Sequence, residues 1–261
     1  MSKKNKSDAS HNRNLVNFLE LMGRCSTLGS AYNPGREELQ LNNLRQLYTN
    51  AQAALQYLAD RKVLAKANAF ERTEAIKALP KLVTSVINTM KAYGVSKKTI
   101  QDAKAIQRRI LGLRATKKSK EAEQVMTEQP QDATTPPTDA EPETGATRTN
   151  SVSQKSQESM VEHFSHLVLL LPHETKYRPN EPELQLSGLQ AHEQHLRILI
   201  INSIAAESEL EAARIQRDKM LYDEEDGLVA RARQVKSYVK AVFGSNSPQY
   251  KQISGMSFRM M

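Results

Sequence analysis

Histidine is the residue type whose spacing in this sequence best suits metal chemistry. Five of the six histidines lie after residue 160, and the pairs His163/His166 and His192/His195 have the i, i+3 spacing that places two rings on one helix face. In an antiparallel helical hairpin His163 would lie near His192, and imidazole is a common zinc ligand. The pattern predicts either a zinc site or hydrogen-bonded structural histidines. The Glu-x-x-His and His-Glu-x-x-His motifs of known metal sites are missing from the sequence, and no cofactor is predicted.

Basic side chains form the second candidate site. Residues 1–120 have a net charge of +15, whereas residues 161–261 have a net charge of −1. A basic helix and its tail suit phosphate contact with little reading of bases, so they predict sequence-tolerant nucleic-acid binding. The alternative is a solvated face that the acidic segment after Glu121 neutralises. The candidate residues are Lys97, Lys98, Lys104, Arg108, Arg109, Arg114, Lys117 and Lys118.

A helix-turn-helix resemblance at Gly94–Gln101 belongs to the same region. Met90 stands where that motif has a small residue, and the second half of the chain does not keep the pattern. Gly94 as a helix stop followed by Ser96 as an N-cap explains these residues without DNA.

A Tyr-x-Pro turn occurs twice, and each copy leads into Glu-Leu-Gln. The thirteen residues from Tyr32 to Leu44 match those from Tyr177 to Leu189 at seven positions, with a constant offset of 145. We expect each tyrosine ring to cover the following helical turn, with its hydroxyl bound to the backbone. A binding-loop role is the alternative. The turn residues are Tyr32, Pro34 and Gln40 in the first copy, and Tyr177, Pro179 and Gln185 in the second.

Catalytic chemistry has little support in the sequence. No nucleophile and base stand in a recognisable arrangement, and no glycine-rich phosphate loop occurs, so we expect a non-enzymatic protein. The single cysteine, Cys25, excludes an internal disulfide framework. The apolar run Leu15–Met22 is too short for a membrane span, which leads us to expect a cytoplasmic protein.

Helical periodicity positions these residues and predicts an all-α fold. In the long helix of the second half, apolar and small residues recur in steps of three and four from Leu189 to Ala213. The Asn180/Glu183 spacing predicts its start, and it extends to about Met220. Each half is expected to contain a short helix (about 12–28 and 159–171, the latter with a capping box at Ser159/Glu162), the turn, one long helix and two shorter helices.

The first-half long helix is predicted to end near Ile76, with Pro80 beginning the next helix. A further apolar face at Ile198, Ile201 and Ala205 predicts that the second-half long helix has an additional neighbour, either within this chain or in another subunit.

Internal duplication is the simplest account of this organisation. Pro80–Val83 corresponds to Asp226–Val229, and Ala92–Gly94 corresponds to Val242–Gly244, so the similarity extends beyond the turns. The predicted domains are a basic helical bundle at 1–120, a linker at 121–158 and a duplicate bundle at 159–261. The linker is rich in Pro, Thr and Glu, and its composition predicts a disordered, acidic tether between two elongated bundles.

The doubled turn and the ending Val242–Gln252 resemble a group of duplicated all-helical proteins common in Bacteroidota bacteria. The resemblance covers both halves and implies the two-domain helical architecture, but it implies no activity.

These patterns favour a helical scaffold or protein-interaction protein that binds a protein partner or itself. Nucleic-acid binding by the basic first half is the alternative, and metal binding by the second-half histidines is a further one.

Overall fold

The predicted all-α class is confirmed. The computed structural model describes residues 6–113 and 156–260, with side chains from Ser10 onward, and these residues form seven α-helices and no strand. The helices are α1 (Lys6–Thr27), α2 (Leu41–Ala92), α3 (Lys97–Ile110), α4 (Gln157–Leu170), α5 (Leu186–Tyr222), α6 (Leu228–Phe243) and α7 (Pro248–Ser254). No helix within these ranges is long and apolar enough to cross a membrane.

The long helix of the first half continues through Pro80, so the predicted boundary at that residue is wrong. Proline has no N–H, and the carbonyl of Ile76 therefore loses its usual helical donor. Continuity is favoured because Ile76, Leu79 and Val83 lie on one face of α2 and are all buried in the same core. The Thr84 hydroxyl also donates to the Pro80 carbonyl at 2.8 Å.

The corresponding segment of the second half does break the helix. The Asp223 carboxylate accepts hydrogen bonds from the backbone N–H groups of Glu225 and Asp226, at 3.0 and 2.9 Å. These bonds hold a tight turn between α5 and α6. A Cβ on Gly227 would lie 2.5 Å from the backbone nitrogen of Asp223, so the turn has no room for a side chain there.

The start of α3 follows the predicted combination of glycine stop and serine cap. Gly94 has φ +67°, a left-handed conformation that a residue with a Cβ rarely adopts. Ser96 is the N-cap, and its hydroxyl accepts the Thr99 N–H at 3.1 Å. Helix α4 has an equivalent cap at Ser156, three residues before the predicted cap at Ser159.

Helix α5 begins at Leu186, later than the predicted start at Asn180 and Glu183. The preceding residues form a turn that packs against the first turn of the helix. A Cβ on Gly188 would lie 2.1 Å from the Pro182 carbonyl oxygen, which requires glycine at this contact.

The first compact unit combines residues 6–67 and 204–260. It contains α1, the first part of α2, the last part of α5, and helices α6 and α7. Helix α6 packs against α1 and α7. The fully buried core side chains include Phe18, Leu21, Leu44, Leu228, Val235 and Val239.

The second compact unit comprises residues 68–113 and 156–203. It contains the last part of α2, helices α3 and α4, and the first part of α5, with α3 packed along α4. Its fully buried core includes Leu79, Val83, Met90, Phe164, Leu167, Leu189 and Leu196.

These units differ from the predicted boundaries at 1–120 and 159–261, because each combines segments of both sequence halves. Of the predicted linker, residues 121–155 lie outside the described residues, and residues 157 and 158 begin α4.

Candidate functional site

The two Tyr-x-Pro turns have the same geometry. The Tyr32 hydroxyl donates to the Leu39 carbonyl at 2.7 Å, and the Tyr177 hydroxyl donates to the Leu184 carbonyl at 2.8 Å. Both tyrosines are buried, and burial raises their pKa, that of Tyr177 to about 12. Each buried hydroxyl therefore closes its own turn by a hydrogen bond to the residue seven positions later.

The prolines and glutamines of the two turns differ in their burial and hydrogen bonding. Pro34 and Pro179 are buried beside their tyrosines. Gln185 donates from Nε2 to the Asn180 carbonyl at 3.3 Å, as its predicted role requires, whereas the Gln40 side chain is exposed.

The histidines lie on the predicted helices but do not converge on one point. His163 and His166 are on α4 with their ring centroids 6.4 Å apart, and His166 is exposed. His192 on α5 packs edge-on against Phe164 at 5.8 Å, and His195 is exposed. Within the described ranges, no three His, Cys, Asp or Glu side chains are placed to hold a metal ion.

His163 and His192 are less exposed than His166 and His195. Both ring nitrogens of His163 and Nε2 of His192 are buried without a hydrogen-bond partner among the described residues. Burial lowers the pKa of both residues, and the positive charge of Arg109 lowers that of His163 further. Both imidazoles are therefore held in the neutral form near pH 7.

A polar cluster between α4 and α5 was not anticipated from the sequence. The buried Ser165 hydroxyl donates to Glu193 at 2.6 Å and accepts from Arg197 Nη2 at 2.8 Å, while Arg197 Nε also donates to Glu193. Burial raises the pKa of Glu193, but the bonds from Ser165 and Arg197 outweigh it and lower that pKa. An ionised carboxylate that is hydrogen-bonded to arginine is a poor general base. We therefore interpret the cluster as a structural link between α4 and α5. Its sequence signal was the i, i+4 spacing of Glu193 and Arg197.

The only first-half histidine, His11, also has a structural partner. Its Nδ1 lies 2.6 Å from the Tyr222 hydroxyl, and the side chain is 1% exposed. The two residues are 211 positions apart, so sequence spacing could not have predicted the pair.

Cys25 is buried in the first unit close to Tyr32. Burial raises the pKa of its thiol to about 12, which keeps the thiol protonated. The thiolate is the nucleophilic form of cysteine, so this residue is poorly suited to covalent chemistry.

Helix α3 presents its basic residues on the side opposite its core contacts. At about 100° per residue, Lys97, Lys104 and Arg108 fall along one line of the helix, and the buried Ala103 and Ile110 fall on the other side. Lys98 and Arg109 flank that line and are exposed. Of the predicted basic site, Arg114, Lys117 and Lys118 lie outside the described residues.

The first unit has a groove between α1 and α2. It has a volume of about 560 Å³ and runs along α2 from Gln52 to Lys66, a distance of about 21 Å. Its apolar lining residues are Leu15, Leu55, Leu58, Ala59 and Val63, and its polar ones are His11, Asn12, Gln52, Gln56, Lys62 and Lys66. Two of these residues are lysines, and none is acidic.

Large apolar side chains are exposed on both helices that line this groove. Val63 in the groove wall is 70% exposed, and Val16 and Leu19, elsewhere on α1, are 62% and 50% exposed. An exposed apolar side chain in the wall of a concavity is a feature of many binding surfaces.

Helix α5 has further exposed isoleucines within each unit. In the second unit Ile198 and Ile201 are 46% and 63% exposed, and in the first unit Ile204 and Ile215 are 52% and 64% exposed. No described neighbour buries these four side chains.

Comparison with known proteins gives no functional assignment. No protein-family model matches the chain, and neither a curated protein nor a solved structure is significantly similar to it.

Proposed function

We propose that this protein is a non-enzymatic, cytoplasmic helical scaffold that binds a partner protein through the groove between α1 and α2. The observation that carries the proposal is the combination of an apolar lining, two lysines and the highly exposed Val63 in one elongated concavity. A groove about 21 Å long matches an amphipathic helix of about 14 residues, which would place its apolar side chains at i, i+3/i+4 and i+7.

The charge of the groove indicates the charge of its partner. Lys62 and Lys66 lie toward the C-terminal end of the α2 segment that lines the groove. The other polar lining residues are His11 and side chains with neutral amides. Complementary charge increases the rate of association and selects among partners. We therefore expect the partner helix to be acidic at the end that meets the lysines.

A designed peptide tests this proposal. The probe is a fluorescein-labelled helical peptide of about 14 residues with one leucine face and glutamates on the other positions, and its binding is followed by fluorescence anisotropy. Val63→Glu should raise the dissociation constant at least tenfold because it places a charge in the apolar wall. Ile215→Glu is the matched control, since it makes a similar change on an exposed helix face of the same unit, and it should leave binding unchanged.

A lysine version of the same peptide tests the charge argument. It should bind more weakly than the glutamate version, and the difference should shrink as salt is added. Failure of the glutamate peptide to bind, or equal losses for Val63→Glu and Ile215→Glu, would overturn the proposal.

Nucleic-acid binding through α3 is a second candidate, favoured by the position of its lysines. Lys97 and Lys98 occupy the first turn, where the helix dipole disfavours positive charge, and this turn contains no acidic residue of its own. A basic line opposite the core suits contact with phosphates.

The salt dependence of binding to a single-stranded oligonucleotide tests this second candidate. Replacing Lys97, Lys104 and Arg108 with Gln should flatten the slope of log K against log salt by about two units. The matched control replaces Lys77, Lys81 and Lys91 on α2 with Gln. An equal effect of the control set, or no binding at about 50 mM salt, would remove α3 as the site.

We also infer that the chain arose by internal duplication and that its acidic segment tethers the two halves. The equivalent hydrogen bonds of Tyr32 and Tyr177, each to a carbonyl seven residues later, support the duplication. The composition of residues 121–158 supports the tether.

A further inference from the structure

The segment that follows α7 in the first unit lies along α1 and α6. Residues 256–260 have no regular secondary structure. The side chains of Met256 and Phe258 are half-buried against the core of this unit, whereas those of Ser257 and Arg259 are exposed. This alternation is typical of an extended chain, whose successive side chains point to opposite sides.

Two asparagines of α1 bind the backbone of this segment. Asn14 donates from Nδ2 to the Arg259 carbonyl at 2.8 Å, and its Oδ1 accepts the Arg259 N–H at 3.0 Å. Asn14 is 1% exposed, so this pair of bonds is shielded from water. Asn17, one turn later on α1, donates to the Ser257 carbonyl at 2.8 Å. The segment therefore runs antiparallel to α1.

A lysine of α6 binds the beginning of the same segment. Lys236 donates from Nζ to the carbonyls of Ser254 and Met256, at 2.8 and 2.9 Å. The bonds from the two asparagines and this lysine all reach backbone atoms, so they do not depend on the side chains of the bound segment. Many proteins bind extended peptides in this mode, in which main-chain bonds supply affinity and alternate side chains supply selectivity.

We propose that α1 and α6 form a binding site for an extended peptide, and that residues 255–260 occupy this site as an internal ligand. The external ligand is an extended segment of a partner protein with two large apolar side chains two positions apart. This chemistry is that of the segment seated on the site, in which Met256 and Phe258 face the core. The three side chains that bind the backbone do not line the groove between α1 and α2, so the two sites are separate.

The internal segment controls access to this site. It is joined to the site through α7, so it competes with an external peptide at an effective concentration in about the millimolar range. An external segment therefore binds tightly only when the internal one is weakened or displaced.

Fluorescence anisotropy of a labelled, end-capped peptide with the sequence of residues 254–260 tests the proposal on the full chain. Phe258→Asp should release the internal segment because it places a charge against the core, and the peptide should bind this variant with a dissociation constant on the order of 10 µM. The wild type should bind the peptide about tenfold or more weakly, because its own segment occupies the site. Ser257→Asp is the matched control, since it adds the same charge on the exposed side, and it should bind the peptide like the wild type.

A pair of lysine variants tests recognition of the backbone. In the Phe258→Asp chain, Lys236→Met removes two hydrogen bonds and keeps an apolar side chain of similar length, so it should raise the dissociation constant of the peptide about tenfold. Lys240→Met, one turn later on α6 at an exposed position, should leave that constant unchanged.

Hydrogen exchange of the wild type tests displacement without any substitution. The Arg259 N–H is bonded to the buried Asn14, so it exchanges only when the segment leaves its site. Local opening should make it exchange about tenfold or more faster than the N–H of Val235 in the core of α6. Equal exchange at Arg259 and Val235, a folded Phe258→Asp variant that does not bind the peptide, or equal effects of Lys236→Met and Lys240→Met would each overturn the proposal.

Discussion

Two tyrosine hydroxyls in this chain make the same hydrogen bond. Tyr32 and Tyr177 are buried, and each donates to a carbonyl at the far end of its own turn. Removing either hydroxyl leaves a carbonyl without its donor while the ring still fills its place. The cost is therefore that of an unpaired buried acceptor and not that of a cavity.

We expect Tyr32→Phe and Tyr177→Phe each to reduce the free energy of unfolding by about 1–2 kcal/mol. Urea denaturation followed by circular dichroism measures the loss. Tyr93→Phe serves as the control, because Tyr93 is 39% exposed and should change stability by less than about 0.5 kcal/mol. No loss for Tyr177→Phe would contradict the equivalence of the two turns.

The second residue-scale prediction concerns the pH dependence of His163 and His192. Their folded-state pKa values are lowered below the ordinary value of 6.5, so the unfolded chain binds more protons in mildly acidic solution. The stability that the neutral rings contribute is complete above about pH 6.5 and is lost as the pH falls toward the lowered values. Phe18 and Leu47 lie 145 positions before these two histidines, and neither side chain ionises.

We expect His163→Phe and His192→Leu to reduce the loss of stability between about pH 7 and pH 5. The free energy of unfolding in urea at the two pH values is the measurement. His173→Gln is the control, because His173 is exposed and lies outside α4 and α5, and this variant should lose as much stability as the wild type. An unchanged loss in the His192 variant would show that this ring binds protons equally in the folded and the unfolded state.

At the scale of the element, sequence patterns within a few residues predicted those helices and helix ends that depend on local interactions. The apolar periodicity predicted the long helices, and Gly94 with Ser96 predicted the start of α3, because glycine conformation and serine capping act within a few residues. Continuity through Pro80 was missed because burial of Ile76 and Val83 outweighs the local preference of proline.

Among the candidate sites, too, contacts close in sequence were predictable, whereas contacts between distant helices were not. The tyrosine turns were predicted because their partners lie seven residues away. The His11–Tyr222 pair and the groove between α1 and α2 depend on which helices pack together, and no spacing within one helix carries that information.

Helix α2 offers a direct test of the cost of Pro80. Replacing it with alanine restores an N–H that can donate to the Ile76 carbonyl and removes the clash of the ring with the preceding turn. We expect Pro80→Ala to raise the free energy of unfolding by about 1–3 kcal/mol. Ala78→Gly, at an exposed position of the same turn, should lower it by about 1 kcal/mol. A destabilised Pro80→Ala variant would show that α2 needs a bend at this position.

At the scale of the whole molecule, each compact unit needs both halves of the sequence. The first core joins Phe18 and Leu44 to Leu228 and Val235, which follow residue 156. The second core joins residues of α2 and α3 to residues of α4 and α5. A chain ending at residue 113 therefore exposes much of the apolar surface that the intact protein buries in both units.

This arrangement predicts the fate of a chain cut between the halves. With a specific protease site inserted between residues 121 and 145, cleavage should leave the two fragments bound to each other, because their shared cores hold them without a covalent link. They should elute together on size exclusion and separate only in denaturant. Fragments 1–113 and 156–261 made separately should each lack a cooperative thermal transition, and mixing them should restore one. Two fragments that separate after cleavage and each unfold cooperatively would instead support independent modules at 1–120 and 159–261.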